Sequence, residues 1–320
     1  AGDVAVISGN TAWDVRTISN DVQIASGVTV TVNGAITIDG TVTITGGGTI
    51  VRGSGNAYFD INSGNSLTLD GVTVDGDSIS SSNSMFDVSG GTLNIKDSIV
   101  QNCVKSDTRG GAVNMDGGTL TIENTTIKDC SATGYGGAIY LRNGADATIK
   151  SGTFSGNRTT NSSYGGGFIY NRSTLTIEGG TFQNNSSAGR GGAIYNAGTS
   201  GTAAYIRGGI FEGNTSSYSG YEGSGAVYYS SENTADTIIY ISGSVRFGDG
   251  TASDGTDGVY LDTSGNALRK MQISSALRYP VHIYVACSEG RAIAQGVEDY
   301  QLTAADMTQL QFHDIGSSGT

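Results

Sequence analysis

The sequence predicts an all-β chain wound as a right-handed parallel β-helix, a solenoid of about nine or ten coils with three sheets. Three observations carry that expectation. The first is a recurring word: Gly136-Gly137-Ala138-Ile139-Tyr140, Gly166-Gly167-Phe168-Ile169-Tyr170 and Gly191-Gly192-Ala193-Ile194-Tyr195, with looser copies beginning at Gly110, Ser224 and Asp257. Successive starts lie 26, 30, 25, 33 and 33 residues apart, so one supersecondary unit is stacked on copies of itself. The second is period-2 alternation of apolar and polar residues in short runs between those words, the mark of half-buried strands. The third is composition: 51 glycines, one proline and 14% charged residues in 320 suit tight turns between β-branched runs and exclude both collagen and a disordered chain.

Residues 1–27 are expected to form an N-terminal cap in which Trp13 covers the open end, because an uncovered end exposes unpaired strand edges. The solenoid itself is expected over 28–261. It opens with narrow coils at Val28-Thr29-Val30, Ile36-Thr37-Ile38, Val42-Thr43-Ile44 and Ile50-Val51. Leu67-Thr68-Leu69 and Val72-Thr73-Val74 supply two strands of the next coil. Phe59-Asp60-Ile61 and Phe86-Asp87-Val88, 27 residues apart, occupy the slot later taken by the glycine-led strand.

The coils then become regular. Thr92-Leu93-Asn94-Ile95, Thr119-Leu120-Thr121-Ile122 and Thr174-Leu175-Thr176-Ile177 place Leu and Ile inward and Thr toward water. About five residues later comes a strand with one bulky apolar residue: Val100, Ile127, Phe154, Phe182 or Phe211. Three residues beyond each stands Cys103, Cys130, Asn157, Asn185 or Asn214. A Ser/Thr/Gly/Tyr-rich loop follows, and then the glycine-led strand, whose Val113, Ile139, Ile169, Ile194, Val227 and Val259 share the inward face. Three strands per coil, each paired with its equivalents above and below at a rise of ~4.8 Å, give a rod ~45 Å long. After Leu261 the texture changes, and 262–320 reads as a C-terminal cap or the start of a further module. Within it Val281–Val285 alternates like a strand, and Thr303 to Asp306 reads as a capping box opening a short helix through Met307 and Leu310.

Charge and cysteine usage narrow the function classes. A net charge of −12 argues against nucleic acid, and thinly spread Lys and Arg argue against an anionic membrane surface. No apolar run approaches the ~18 residues of a membrane helix, and the first residues show no export signal, which is expected to be absent or already removed. Three cysteines cannot form a disulfide framework. Cys103 and Cys130 lie one coil apart and are open to either a disulfide or a buried thiol stack, while Cys287 has no evident partner.

The Gly-Gly-Ala-Ile/Val and Phe-x-x-Asn words span Gly136 to Ile139, Phe154 to Asn157, Gly166 to Ile169, Phe182 to Asn185, Gly191 to Ile194 and Phe211 to Asn214. At these words the sequence resembles the repeats of polymorphic outer membrane proteins and related β-helix regions of bacterial surface proteins, including autotransporter passengers. The resemblance covers about 110–260 by motif and 28–109 by coil pattern. It implies a secreted or surface-displayed adhesin that binds a host glycan or a host or matrix protein.

Candidate sites follow from the stacked columns. Asn157, Asn185 and Asn214, with Phe154, Phe182 and Phe211, read as structural ladders. Tyr140, Tyr170, Tyr195, Tyr228 and Tyr260 share the outward face of the glycine-led strands, either as cross-coil stacking or as a flat aromatic stripe for a ligand. Beside them run loops of unequal length, 131–135, 158–164, 186–190 and 215–224, which hold Tyr135, Tyr164, Tyr218 and Tyr221 among small polar residues and share one edge of the rod. That edge is the expected recognition surface.

Asp60 and Asp87 are the nearest approach to a paired-carboxylate centre, the basis of an alternative reading as a polysaccharide-active, pectate-lyase-like enzyme. A purely structural stalk is the other alternative. Residues 248–255 lack the spacing of a calcium loop. Threonine pairs such as Thr119/Thr121 would suit an ice-binding face, but Asn94, Ala147 and Tyr205 break the column. Sequons occur at Asn124, Asn157, Asn161, Asn171, Asn185 and Asn214. The expectation is a non-enzymatic, monomeric adhesin segment that uses no cofactor or metal.

Overall fold

In the computed structural model, strand after strand pairs in parallel with its equivalent one coil away. The structure describes residues 4–14, 16–197, 201–218, 225–230, 238–248, 258–261, 271–285, 294–296 and 300–314. The chain is a parallel β-helix with three sheets and about 8 regular turns, all-β among the described residues but for one six-residue helix. Register is kept position by position. Leu67, Leu93, Leu120, Ala147, Leu175 and Ala204 stack in one inward column. Phe86, Val113, Ile139, Ile169, Ile194, Val227 and Val259 stack in another. Successive residues of a strand point to opposite faces, so each apolar/polar alternation delivers one side chain per coil to the axis. The result is a single elongated core running from Trp13 to Leu310, with Phe154, Phe182, Phe211 and Phe247 in series at centroid spacings of 4.9, 4.5 and 5.1 Å.

The strands divide among sheets differently from the sequence expectation. The Thr-Leu-Thr-Ile strands and the Phe strands form two faces of one 20-stranded sheet. They merge where Ala203–Glu212 and Ile238–Phe247 run as single ten-residue strands through both faces, with a register shift at Ile206/Gly208. A second sheet holds the 12 glycine-led strands and their equivalents. The third has six two-residue strands, Ser80–Ser81, Val104–Lys105, Ser131–Ala132, Arg158–Thr159, Ser186–Ser187 and Thr215–Ser216, in segments whose composition reads as loop. A strand of two residues carries no detectable alternation, which is why the sequence conceals them.

The glycine-led word has two separate steric causes. The first glycine is left-handed: Gly136, Gly166 and Gly191 have φ of 63°, 73° and 70°. A Cβ on the second would collide with the adjacent coil, since at Gly167 it would sit 2.1 Å from the Gly192 carbonyl oxygen. The Phe-x-x-Asn word has its own left-handed residue before the Asn: Asn102, Asp129, Gly156, Asn184 and Gly213 lie at φ 54°, 56°, 66°, 53° and 60°. Gly, Asn and Asp are the residues that adopt this conformation cheaply, and the turn they make swings the next side chain into the corner of the coil.

Two expected boundaries do not mark a change of architecture. Ala5–Ile7, Thr11–Trp13 and Thr17–Ile18 each pair in parallel with the coil above, so residues before 28 already belong to the stacked layers of the solenoid. Trp13 nonetheless closes that end, sitting over Val32's layer and walling an open cavity of about 230 Å³ with Ile7, Ile18 and Val22. Beyond 261, Met271–Leu277, Val281–Val285 and Leu310–Asp314 continue the same ladders. Parallel pairing needs only a free backbone edge, so layers that have lost the repeat words still stack. The expected helix spans Ala304–Gln309 with Thr303 and Asp306 forming the capping box. Asp306 also accepts the Leu277 backbone N–H at 3.0 Å and the Tyr300 hydroxyl, which ties the helix to the ladder.

Candidate functional site

The outward column of the 12-stranded sheet is the chemically richest line on the molecule. In register it reads Thr37, Asp60, Asp87, Asn114, Tyr140, Tyr170, Tyr195, Tyr228 and Tyr260. The sequence placed the tyrosines in one column correctly, but they do not form an exposed stripe. All five are only 1–5% exposed and make up a second apolar cluster, separate from the axial core. The loops that precede the glycine-led strands fold back over the sheet and lay Tyr135 and Tyr164 on it. Tyr135 lies 4.0 Å from Tyr164, 5.4 Å from Tyr140 and 4.7 Å from Tyr170 by ring centroid. Tyr170 and Tyr195 stack at 4.6 Å and 7°. Each tyrosine offers ~150–250 Å² for burial, so a Ser/Gly-rich loop gains more by covering the rings than by leaving them to water.

Arginines line this compartment. Arg190 sits 4.1 Å over the Tyr218 ring and 5.3 Å from that of Tyr228, and donates to the Tyr218 hydroxyl at 2.7 Å. Arg109 stands 5.7 Å from the Tyr140 ring. Burial, and then a hydrogen bond with Tyr164, push the Tyr135 phenol well above its ordinary pKa. What the edge shows to solvent is the loop itself: Arg158, Thr160, Asn161, Ser162, Ser163, Thr215 and Ser217 are exposed, and Tyr135, Tyr164 and Tyr218 are half-buried. Tyr221 lies outside the described residues.

The ladders assigned to structure are structural. Asn157, Asn185 and Asn214 are fully buried. Asn157 Nδ2 donates to Asn185 Oδ1 and Asn185 Nδ2 to Asn214 Oδ1, both at 2.9 Å, while the backbone N–H groups of Cys130, Asn157 and Asn185 donate to the amide oxygen one coil up, each at 3.1 Å. Cys103 and Cys130 are buried free thiols, each donating to the carbonyl two residues earlier. Burial, and then the neighbouring Cys103, raise the Cys130 thiol well above its ordinary pKa. Cys287 and residues 249–257 lie outside the described residues. Of the sequons, Asn157, Asn171, Asn185 and Asn214 are fully buried, while Asn124, Asn161 and Asn184, which heads a further Asn184-Asn185-Ser186 sequon, are exposed amides. Ala147 is an inward residue stacked on Leu120, so it does not interrupt the outward threonine column, whereas Asn94 and Tyr205 do.

Below Tyr140 the column turns polar and half-buried. Asn114 Nδ2 donates to Asp87 Oδ1 at 2.9 Å, and Asn62 Nδ2 to Asp60 Oδ2 at 3.0 Å. Arg52 and Lys105, which the sequence reading passed over, stand beside these carboxylates. Arg52 is fully buried and donates to the carbonyls of Ala57 at 3.0 Å and of Asn83 and Val104 at 3.4 Å. It bridges three coils at the base of the six-stranded sheet. Lys105 Nζ donates to Ser84 Oγ at 3.2 Å. Burial lowers the pKa of both cations, and it raises that of Asp87 against the opposing pull of Lys105 and Asn114. The signal was present in the sequence: Arg52 follows Ile50 at the inward i+2 slot that Val32 fills one coil below, and Lys105 interrupts a column of Ser81, Ala132, Thr159, Ser187 and Ser216.

Compared with known proteins, the chain matches no family model, no curated sequence and no solved structure.

Proposed function

We propose that this solenoid is the recognition segment of a secreted or surface-displayed protein, a non-enzymatic adhesin that binds a glycan or a host protein through its loop edge. The observation that supports the reading is the covered tyrosine column. It anchors loops of unequal length, in successive coils, along one edge of a rigid rod, and it leaves their polar tips exposed. Rigid scaffolds that present variable loops are where binding residues concentrate. The tyrosines serve here as the footing of the recognition surface, and Arg158, residues 160–163, Thr215 and Ser217 are the contact groups.

Glycan-array and matrix-protein binding, measured with the intact chain and with a variant in which 160–163 is replaced by Gly-Ser, tests the proposal. Loss of signal with an unchanged melting curve is the expected result. Equal binding by both proteins would overturn it. A depolymerisation screen on acidic and neutral polysaccharides separates this reading from that of an enzyme built on Asp60 and Asp87, since turnover lost in Asp87→Asn would favour the enzyme.

A further inference from the structure

We infer that the loop edge takes an acidic polysaccharide, a linear glycan with carboxylates on successive units, gripped by Arg158 between Arg109 and Arg190. The inference rests on the proposed recognition role of that edge and specifies the chemistry of its ligand.

Charge is distributed unevenly along the rod. The chain carries −12 overall, yet from Ser131 to Phe211 it holds six basic residues and only two acidic ones, Asp146 and Glu178. Both acids go with strands of the 20-stranded sheet, Asp146 at the start of Asp146–Ile149 and Glu178 directly after Thr174–Ile177. Of the cations, Arg142 is paired with Asp116 and Lys150 with Glu123. Arg158 and Arg172 are exposed and Arg109 half-buried, and none of the three forms an ion pair among the described residues. Asp107 is the one acidic side chain in the described loops of this edge, and Glu222 lies outside the described residues. A cationic edge on an otherwise acidic rod draws an anion to that edge and nowhere else.

The arginines are also aligned. Arg109, Tyr135, Gly165 and Arg190 precede the paired glycines of four successive coils. The N–H groups of Gly110, Gly136 and Gly166 donate in turn to the carbonyls of Tyr135, Gly165 and Arg190, at 2.9, 3.0 and 2.9 Å. Three coil steps of ~4.8 Å set Arg109 and Arg190 ~14 Å apart along the axis. Arg158 lies on the third of these coils, at the exposed first place of Arg158–Thr159, and leads into 160–163. A single terminal acid sugar meets one such arginine, whereas a chain with repeated carboxylates meets the series. All three cations are Arg, whose planar fork pairs with carboxylate through two parallel hydrogen bonds. Thr160, Asn161 and Ser162 supply exposed hydroxyl and amide groups for the sugar hydroxyls. A nucleic-acid duplex needs a longer basic track than three arginines, and the acid of the remaining rod repels it.

The test is biolayer interferometry and calorimetry on the whole chain. The probes are polygalacturonate, alginate and hyaluronan oligosaccharides, each also after reduction of its carboxylates to alcohols. The comparisons are sialyllactose, dextran sulfate, polyglutamate and duplex DNA. At least one uronate chain is expected to bind about tenfold or more tighter than its reduced form, and to weaken about tenfold or more between ~50 and ~200 mM salt. Arg158→Gln and Arg109→Gln are each expected to weaken it about fivefold, the size of one solvent-exposed bidentate pair. Arg207→Gln, exposed on the 20-stranded sheet, should leave it unchanged. Arg158 is exposed, so its replacement keeps the test decisive if Arg109→Gln folds poorly. Failure of every uronate probe, equal binding after reduction, stronger binding to any comparison than to every uronate chain, or unchanged affinity in Arg158→Gln would overturn the inference. A neutral glycan or protein whose binding is lost with the Gly-Ser replacement of 160–163 but is indifferent to Arg158→Gln would retain the loop-edge proposal and discard this ligand. Uronate binding that falls in Arg158→Gln but survives the loop replacement would do the reverse.

Discussion

Replacing Asn185 by Ala removes one rung from the buried amide ladder, and the structure specifies what that costs. The Asn185 carboxamide accepts from the Asn157 backbone N–H and from Asn157 Nδ2, and donates to the Phe154 carbonyl and to Asn214 Oδ1. Asn157 Nδ2 keeps the Ile127 carbonyl, and Asn214 Oδ1 keeps the Asn185 backbone N–H, so those two groups are weakened rather than orphaned. The Asn157 N–H is left without its acceptor in a fully buried corner, and Phe154 loses its side-chain donor. An orphaned buried group costs ~1–3 kcal/mol and each further bond ~1 kcal/mol, so the loss should be about 4 kcal/mol. Guanidinium denaturation followed by circular dichroism measures it, with Asn161→Ala on the exposed loop as a control expected within ~0.5 kcal/mol of wild type. Asn185→Asp retains the acceptor oxygens but loses both donor bonds and buries a charge, so it should be at least as unstable. A loss below ~1 kcal/mol in Asn185→Ala would refute the view that the ladder holds the corner.

Gly167→Ala should cost more than ~3 kcal/mol because its Cβ meets the carbonyl of the adjacent coil, whereas Gly144→Ala, left-handed at φ 81° but facing open space, should cost only ~1 kcal/mol; paired melting curves compare them. Burial alone would raise the Asp306 carboxyl pKa, but hydrogen bonds from Thr303 and Tyr300 and from the Leu277 and Thr303 N–H groups outweigh it and hold the pKa below the usual range. A depressed folded-state pKa means that this stabilisation is present above the unfolded value of ~4 and is lost as pH falls toward the folded one. Amide exchange at Leu277, corrected for intrinsic rate, should therefore accelerate on acidification below pH ~4, and Asp306→Asn should remove that dependence; a flat profile in the wild type would contradict the linkage.

The fold was legible because the solenoid writes its steric demands into short words. The left-handed residue before each corner Cys or Asn is Gly, Asn or Asp, and coils a few ångströms apart leave no room for a Cβ at Gly137, Gly167 and Gly192. The Asn and Phe ladders were legible for the same reason, since one stacked position needs one kind of residue in coil after coil. The terminal layers were not, because backbone pairing of Ala5–Ile7 or Met271–Leu277 asks for no particular side chain. Lys105 and Arg52 escaped notice because each interrupts its column only once.

Chain order and periodicity by themselves determined the parallel stacking, the inward columns and the alignment of Tyr140 through Tyr260, because vertical register follows from a fixed repeat and a side-chain period of two. Only the tertiary structure decided what covers that column. Whether an outward residue meets water depends on where a loop of nearly patternless Ser, Gly and Thr folds, and that is settled by the rings it can bury rather than by its own sequence. The same applies at the lower end of the column, where Asn114 reaches Asp87 and Arg52 reaches the carbonyls of Asn83 and Val104 across separations that no local pattern records.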